Sequence, residues 1–173
     1  MTELNNDFLM RLMRAVDAGL VTHRHYMPWC DAIIEVEDDP PYWMLELTVT
    51  ENPSQAVTIL TQAAHGNFQE VWRPGDYGDF WIGCLFLRYQ CREISWATFL
   101  RQAGEYADAS GAGWECEEFY ELLNHYELAE FSRSLEETQA AYFQEKFVED
   151  VEEAASFYEP FEQAFRSARS GET

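Results

Sequence analysis

The sequence predicts an all-α fold, an irregular bundle of about eight helices around a buried central helix at about residues 80–92. Apolar residues recur at steps of three and four along most of the chain, and capping residues and glycines stand where those patterns begin and end. No two segments read as partner strands, and an isolated strand is not stable. We expect a single helical domain, 1–173, with an acidic C-terminal helical part at about 115–170.

The first two helices are marked by their ends. Leu4, Phe8 and Leu12 recur at helical spacing until Gly19, which is placed as a C-terminal cap. Thr22 is the expected N-cap of the second helix. The acidic run EVEDDPP ends that helix.

The segment 42–49 is open to two interpretations. Its alternating residues are Trp43, Leu45, Leu47 and Val49. This alternation fits a strand, but Pro40 and Pro41 stand where a helix start tolerates proline, and no partner strand is evident. We therefore favour a short helix. Asn52 and Pro53 open a fourth helix, which is expected to end at Gly66.

The middle of the chain combines a long loop with the most apolar segment. Residues 66–79 carry four glycines and prolines between them and are predicted to form the longest loop. Phe80 to Leu87 is apolar on nearly all sides, as in a buried helix. Ser95 is expected to cap the next helix, which ends at the flexible sequence SGAG, 110–113.

From Glu115 onward, the sequence predicts two amphipathic acidic helices. The first buries the stripe Phe119, Leu122, Leu123 and Tyr126. The second starts near Ser134, which forms a capping-box pattern with Glu137, and is expected to break at Pro160 before a short terminal helix.

The charge of the chain is strongly negative. Its formal net charge is −21, and Lys146 is the one lysine. Such a balance repels nucleic acid and anionic membranes and attracts basic proteins. Residues 115–162 hold 15 acidic residues against Arg133 and Lys146, a balance of −13. These carboxylates are either the solvated faces of two helices or a surface that docks an Arg- and Lys-rich partner.

Partner-binding residues are expected in two places. The acidic helices offer carboxylates on the faces opposite their apolar stripes: Glu117, Glu118, Glu121, Glu145, Glu149, Glu152 and Glu153. Aromatic anchors are expected from the long loop and from the residue before the acidic helices: Phe68, Trp72, Tyr77 and Trp114. For both sets, the alternative is a purely structural role.

The sequence offers little for catalysis or for a cofactor. It has no dinucleotide, phosphate-loop, serine-hydrolase or zinc-protease motif, and no cofactor or metal is expected. His23 with His25, and Glu121 with His125, lack the paired spacing of a metal site, so capping or surface roles are expected. A catalytic thiol at Cys30 is disfavoured because acidic neighbours oppose the thiolate.

The four cysteines, Cys30, Cys84, Cys91 and Cys116, have no paired spacing and are expected to be reduced. The N-terminal residues lack the basic and apolar regions of a signal peptide. No stretch is long and apolar enough for a transmembrane helix. These features predict a cytoplasmic protein.

Parts of the first third resemble a known family. The matching runs are Gly19 to Thr22, Trp29 to Ile34, Pro40 to Trp43, and Leu45 to Leu47. They resemble the opening of helical immunity proteins from bacterial polymorphic-toxin and type VI secretion systems. The resemblance implies a cytosolic protein that binds its cognate toxin and blocks it by direct contact.

The expected function is therefore that of an immunity protein, with no enzymatic activity, that neutralises a secreted toxin through its acidic surface. A nuclease is the favoured toxin because its substrate cleft must be basic. One alternative is a nucleic-acid mimic that inhibits a DNA- or RNA-binding defence enzyme. Another is a helical enzyme with a carboxylate metal site.

Overall fold

A computed structural model describes residues 4–66, 77–110 and 115–171. Over these ranges the chain forms nine α-helices and no strand, which confirms the all-α prediction. In chain order the helices are α1 Asn6–Asp17, α2 His23–Ile34, α3 Tyr42–Thr48, α4 Pro53–Gly66, α5 Gly78–Gln90, α6 Trp96–Ser110, α7 Cys116–Leu128, α8 Arg133–Lys146 and α9 Val148–Gly171. None of the described helices has the length and apolar character needed to cross a bilayer.

The contacts of the chain form two compact units. The first unit contains α1 to α4 and the part of α9 from Ser156 onward, and the second contains α5 to α8 and α9 up to Ala155. The expectation of a single domain stays a prediction.

The first unit begins with two helices whose ends match the sequence signals. At the end of α1, Gly19 has a φ of 74°, and the N–H of Leu20 donates to the carbonyl of Ala15 at 3.0 Å. This left-handed glycine cap closes the helix, as expected. Thr22 caps α2, and its backbone N–H donates to Nδ1 of His25 at 3.1 Å.

Aromatic rings fill the core of the first unit. Phe8 of α1 stacks on Trp29 of α2 with ring centroids 5.5 Å apart, and Trp29 lies 4.7 Å from Phe161 of α9. Helix α4 packs against α1, and α3 packs against α2 and α4. The helical interpretation of residues 42–49 is confirmed, since α3 buries Met44 and Leu47.

Helix α5 is the buried helix that the sequence predicts. Every residue from Phe80 to Leu87 is buried. Its bounds are two residues earlier than the predicted 80–92. Phe86 of α5 packs against Phe99 of α6 and Phe143 of α8, with centroid separations of 5.4 and 4.5 Å. These rings form the core of the second unit.

The last helix boundary differs from the prediction. The break falls at Phe147, where φ is −117° and ψ is 26°, and α9 continues through Pro160 without ending there. Phe147 is buried, and its ring stacks on Phe143, four residues earlier, at 4.1 Å. Pro160 is tolerated because it is exposed, and water can reach the carbonyl of Ser156 that loses its helical donor.

The start of α8 also differs from the prediction. The helix begins at Arg133 after Ser132, so Ser134 lies within the first turn and does not cap it. Glu137 pairs with Arg133 at 3.1 Å.

Candidate functional site

Helix α7 exposes one row of carboxylates, and it pairs a further carboxylate with helix α8. Glu117 and Glu121 are exposed and lie four residues apart, on one face of the helix. Glu118 is half-buried and accepts a hydrogen bond from the Tyr142 hydroxyl at 2.8 Å. Its Oε2 lies 2.6 Å from Nζ of Lys146 on α8. Glu118 therefore ties α7 to α8 and adds little net negative charge to the surface.

The charge pair of Glu118 and Lys146 shifts both pKa values. Burial alone would raise the pKa of Glu118, but the hydrogen bonds from Lys146 and Tyr142 outweigh it and hold that pKa below its ordinary value. Burial alone would lower the pKa of Lys146, but the hydrogen bonds to Glu118 and Tyr142 outweigh it and raise that pKa. Both groups are therefore ionised at neutral pH.

The second predicted row of carboxylates is divided between two helices. Glu145 lies in the last turn of α8, whereas Glu149, Glu152 and Glu153 lie in the first turns of α9, beyond the break at Phe147. Glu145, Glu149 and Glu152 are exposed, and Glu153 is half-buried. Within α9, the three glutamates share one face by their spacing.

Asp150 is a half-buried carboxylate beside this row. Burial, and next the negative charges of Asp79 and Glu149, raise its pKa above the ordinary value. The proximity of Asp79 in α5 to Asp150 in α9 could not be predicted, because the two residues are far apart in the chain.

The predicted aromatic anchors are placed only in part. Phe68, Trp72 and Trp114 lie outside the described residues. Tyr77 is half-buried, and its carbonyl accepts a hydrogen bond from Trp81 at the start of α5. Large apolar side chains that were not sequence-based candidates are exposed on the second unit: Tyr120, Leu128, Phe131, Tyr142 and Val148.

An open cleft of about 780 Å³ lies in the second unit. It is bounded by the end of α5, the turn into α6 and the first turn of α8. Its lining residues are Tyr89, Gln90, Arg92, Glu93, Ile94, Ser95, Trp96, Arg133, Glu136 and Glu137. None of these residues was a sequence-based candidate, because the cleft is assembled from segments about forty residues apart.

Glu136 is held in the cleft by two phenols. The Tyr89 hydroxyl donates to its Oε1 at 3.0 Å, and the Tyr126 hydroxyl donates to its Oε2 at 2.7 Å. Burial, with the hydrogen bond to Glu136, raises the pKa of Tyr89 and of Tyr126 to about 12. The phenols therefore remain neutral donors. Among the described residues, no cation pairs with the Glu136 carboxylate.

Buried hydrogen bonds fix the helices around this carboxylate. The indole N–H of Trp96 donates to Oε1 of Gln139 at 2.7 Å, and Nε2 of Gln139 donates to the Leu122 carbonyl at 2.9 Å. These hydrogen bonds join α6, α8 and α7 through the buried side chains of Trp96 and Gln139 and the half-buried Leu122. A satisfied network of this kind rigidifies the helices that it joins.

Arg92 stands at the rim of the cleft in a strained backbone conformation. Its φ is 60°, and the N–H of Glu93 donates to the Arg88 carbonyl at 2.9 Å, which closes α5 as Gly19 closes α1. A residue with a Cβ is disfavoured there. No charge partner for its exposed guanidinium is found in the described part of the chain.

The cysteines and histidines have structural surroundings. Cys30 and Cys84 are buried, and burial raises the pKa of each thiol well above its usual range. His25 is 2% exposed; its Nδ1 accepts the Thr22 N–H, so Nε2 carries the proton toward the Tyr158 hydroxyl, 3.1 Å away. His23 lies 3.0 Å from the Thr48 carbonyl. No group of three potential metal ligands is found among the described residues.

Comparison with known proteins gives no family for this chain. No protein-family model, curated sequence or solved structure matches it.

Proposed function

We propose that this protein is a cytoplasmic binding protein, without enzymatic activity, that neutralises a basic partner. The partner class that we favour is a cognate bacterial toxin, and among toxins a nuclease, because its substrate cleft must be positively charged. The docking surface is formed by exposed carboxylates of the second unit. These are Glu117, Glu121, Glu145, Glu149 and Glu152.

The observation that carries the proposal is that the local cations are already paired with glutamates. Between residues 115 and 162 the chain has only Arg133 and Lys146 as basic residues. Arg133 pairs with Glu137, and Lys146 pairs with Glu118. The exposed carboxylates Glu117, Glu121, Glu145, Glu149 and Glu152 have no ion pair among the described residues. A surface of this kind attracts a basic partner and accelerates its association at low salt.

The nearby exposed aromatic residue Tyr142 supports a docking role. It is 45% exposed, and its hydroxyl is held by Glu118 in the same contact as Lys146. An ordered tyrosine within a charged surface supplies apolar contact area at little entropic cost. The resemblance to immunity proteins points in the same direction.

A charge-reversal experiment tests the proposal. Cells would co-express the product of the neighbouring gene, as the toxin candidate, with the wild-type protein or with the E145K/E149K/E152K variant. We expect the wild type to restore growth. The triple variant should fail to restore it, because truncation of desolvated interface charges costs about 2–5 kcal/mol and the variant should lose at least about 2 kcal/mol of binding free energy.

The matched control is E35K/E37K/D38K, which makes the same change in net charge at exposed residues of the first unit. It should protect as the wild type does. Equal loss of protection in both variants would show that bulk charge, and not this surface, matters. Binding of the wild type to several unrelated DNA-binding proteins would indicate a nucleic-acid mimic instead.

A further inference from the structure

The cleft of the second unit holds a fixed negative charge for which the described residues supply no counter-ion. Both oxygens of Glu136 accept hydrogen bonds from tyrosines, and these donors are neutral. A carboxylate has about four acceptor positions, so two remain after the phenols are satisfied. Glu136 is half-buried, so these positions are only partly hydrated by bulk water.

The other walls of the cleft fit a flat cationic group. Tyr89 is half-buried and lines the cleft, and the buried Trp96 packs against it with ring centroids 4.9 Å apart. Glu137 adds a second carboxylate at the opening, where it pairs with Arg133. A guanidinium group pairs with carboxylates through a planar set of donors and stacks on aromatic rings. An ammonium group lacks that planar match.

The cations of the cleft lie at its exposed rim. The Arg133 side chain is 90% exposed, and Arg92 is also exposed. An exposed ion pair such as Arg133 with Glu137 contributes little and is easily exchanged. An entering guanidinium could therefore displace Arg133 and take over its carboxylate.

We infer that the cleft lined by Tyr89, Trp96, Glu136 and Glu137 receives an arginine side chain of the protein partner. The inference rests on the proposed function and names a specific contact within it: the exposed carboxylates attract the partner, and the cleft seats one arginine. Arginine is a common anchor in tight interfaces, particularly when it enters a preformed pocket.

The test uses the full-length protein and a short peptide, acetyl-Gly-Arg-Gly-amide, whose only charge is the guanidinium. Nuclear magnetic resonance titration should shift the backbone amide signals of residues 89–96 and 133–137, with a dissociation constant on the order of 1 mM. The same peptide with citrulline in place of arginine keeps the shape and loses the charge. It should bind at least tenfold more weakly, and equal binding of the two peptides would overturn the inference.

Substitutions show whether the cleft binds cations or anions. Glu136→Gln should weaken binding of the arginine peptide about tenfold or more, whereas the exposed control Glu145→Gln should change it by less than about twofold. Arg133→Gln leaves the buried network untouched and should strengthen binding about two- to fivefold, because it frees Glu137 and removes a competing cation. A cleft that takes anions would respond to Arg133→Gln by weaker binding, which would overturn the inference even if Glu136→Gln fails to fold.

A further arm distinguishes the source of the guanidinium. Butylguanidine carries the same group, as its only charge, on a small molecule, and we expect it to bind no tighter than the peptide. Binding of butylguanidine that is tenfold tighter would overturn the assignment to a protein side chain. If the arginine peptide does not bind while E145K/E149K/E152K still abolishes protection, the cleft inference fails and the proposed function stands. If the peptide binds but the wild type gives no protection, the proposed function fails.

Discussion

Two carboxylates of the second unit respond to acid in opposite directions. The pKa of Glu118 is lowered, so its pairing with Lys146 stabilises the fold above the ordinary glutamate pKa and is lost as pH falls through the folded-state pKa. The pKa of Asp150 is raised. Its ionisation therefore opposes folding. This destabilisation is complete at pH values above the folded-state pKa and absent below the unfolded-state pKa of 3.8.

Removal of the charge at Asp150 should stabilise the protein at neutral pH. Asp150→Asn keeps the size of the side chain and removes repulsion from Asp79 and Glu149. We expect a higher midpoint of thermal unfolding at pH 7, and the gain should shrink toward zero as pH falls to about 3.8. Calorimetry at several pH values measures both effects.

The control for this experiment is Glu152→Gln, which removes one negative charge from an exposed position of the same helix. Exposed substitutions usually change stability by less than about 0.5 kcal/mol. A gain for Asp150→Asn that is equal at pH 4 and pH 7 would contradict the assigned cause.

The backbone roles of some single residues could be predicted from the sequence, whereas those of others could not. Gly19 and Thr22 act as the caps that their residue types predict. Arg92 and Glu130 occupy the same left-handed position after α5 and α7, with φ values of 60° and 51°. No residue preference marks them, because arginine and glutamate are disfavoured there.

At the scale of helices, two glycines mark close approaches of different kinds. A Cβ at Gly83 of α5 would lie 2.6 Å from the backbone carbonyl oxygen of Asp150 in α9. A Cβ at Gly104 of α6 would lie 2.9 Å from Cε1 of the Tyr120 ring. Backbone at the start of α9 cannot move without disturbing the helix. The Tyr120 ring is 39% exposed and can shift.

Alanine substitution should separate these two contacts. Overpacking costs about 1–3 kcal/mol and alanine regains about 1 kcal/mol of helix propensity, which leaves a net loss of about 0–2 kcal/mol. We expect Gly83→Ala to lower the free energy of unfolding by an amount in the upper half of that range, because the contacted atom is backbone. Chemical denaturation gives the value directly. Gly104→Ala is the matched control, and its change should stay within about 0.5 kcal/mol because the helix-propensity gain offsets the ring displacement. Equal losses at both positions would contradict the difference in packing.

The helices themselves were largely predictable, because apolar periodicity and capping residues act locally. The boundary between α8 and α9 was not predictable in this way. The apolar spacing continues through Phe143, Phe147 and Val151 without interruption, so periodicity predicts one helix there. The break is a departure of the Phe147 backbone from helical φ and ψ, and no residue preference in the sequence marks it. At Pro160, solvent exposure overrides the usual helix-breaking effect of proline.

At the scale of the whole molecule, the net charge of −21 lowers the stability of the folded state. Like charges on a compact surface repel one another, and unfolding relieves that repulsion. Salt screens the repulsion, since the Debye length falls from about 10 Å at 0.1 M to about 3 Å at 1 M. The folded protein should therefore gain stability from added salt.

Sodium chloride should raise the midpoint of thermal unfolding between 0.1 and 1 M. Each kcal/mol of repulsion removed corresponds to about 2–4 °C for a chain of this size. The E145K/E149K/E152K variant exchanges three negative for three positive charges, which changes the net charge from −21 to −15, and should gain less from salt. An unchanged or falling midpoint for the wild type would show that local pairs outweigh the general repulsion.

The candidate sites differ in how far the sequence could reveal them. The exposed carboxylates follow from helical spacing, as Glu117 and Glu121 show. The cleft could not be predicted, because Tyr89 and Glu136 are 47 residues apart and meet only through tertiary packing. Neither residue belongs to a motif.

The pairing of Lys146 with Glu118 has a practical chemical consequence. Since Lys146 is the one lysine of the chain, an amine-selective acylating reagent has a single side-chain target, apart from the amino terminus. The raised pKa of that amine keeps it protonated and therefore slow to acylate. A fluorophore attached there at high pH would occupy a defined point between α7 and α8, beside Tyr142. One covalent modification thus provides a reporter next in the chain to Glu145, a residue of the surface proposed to meet the partner.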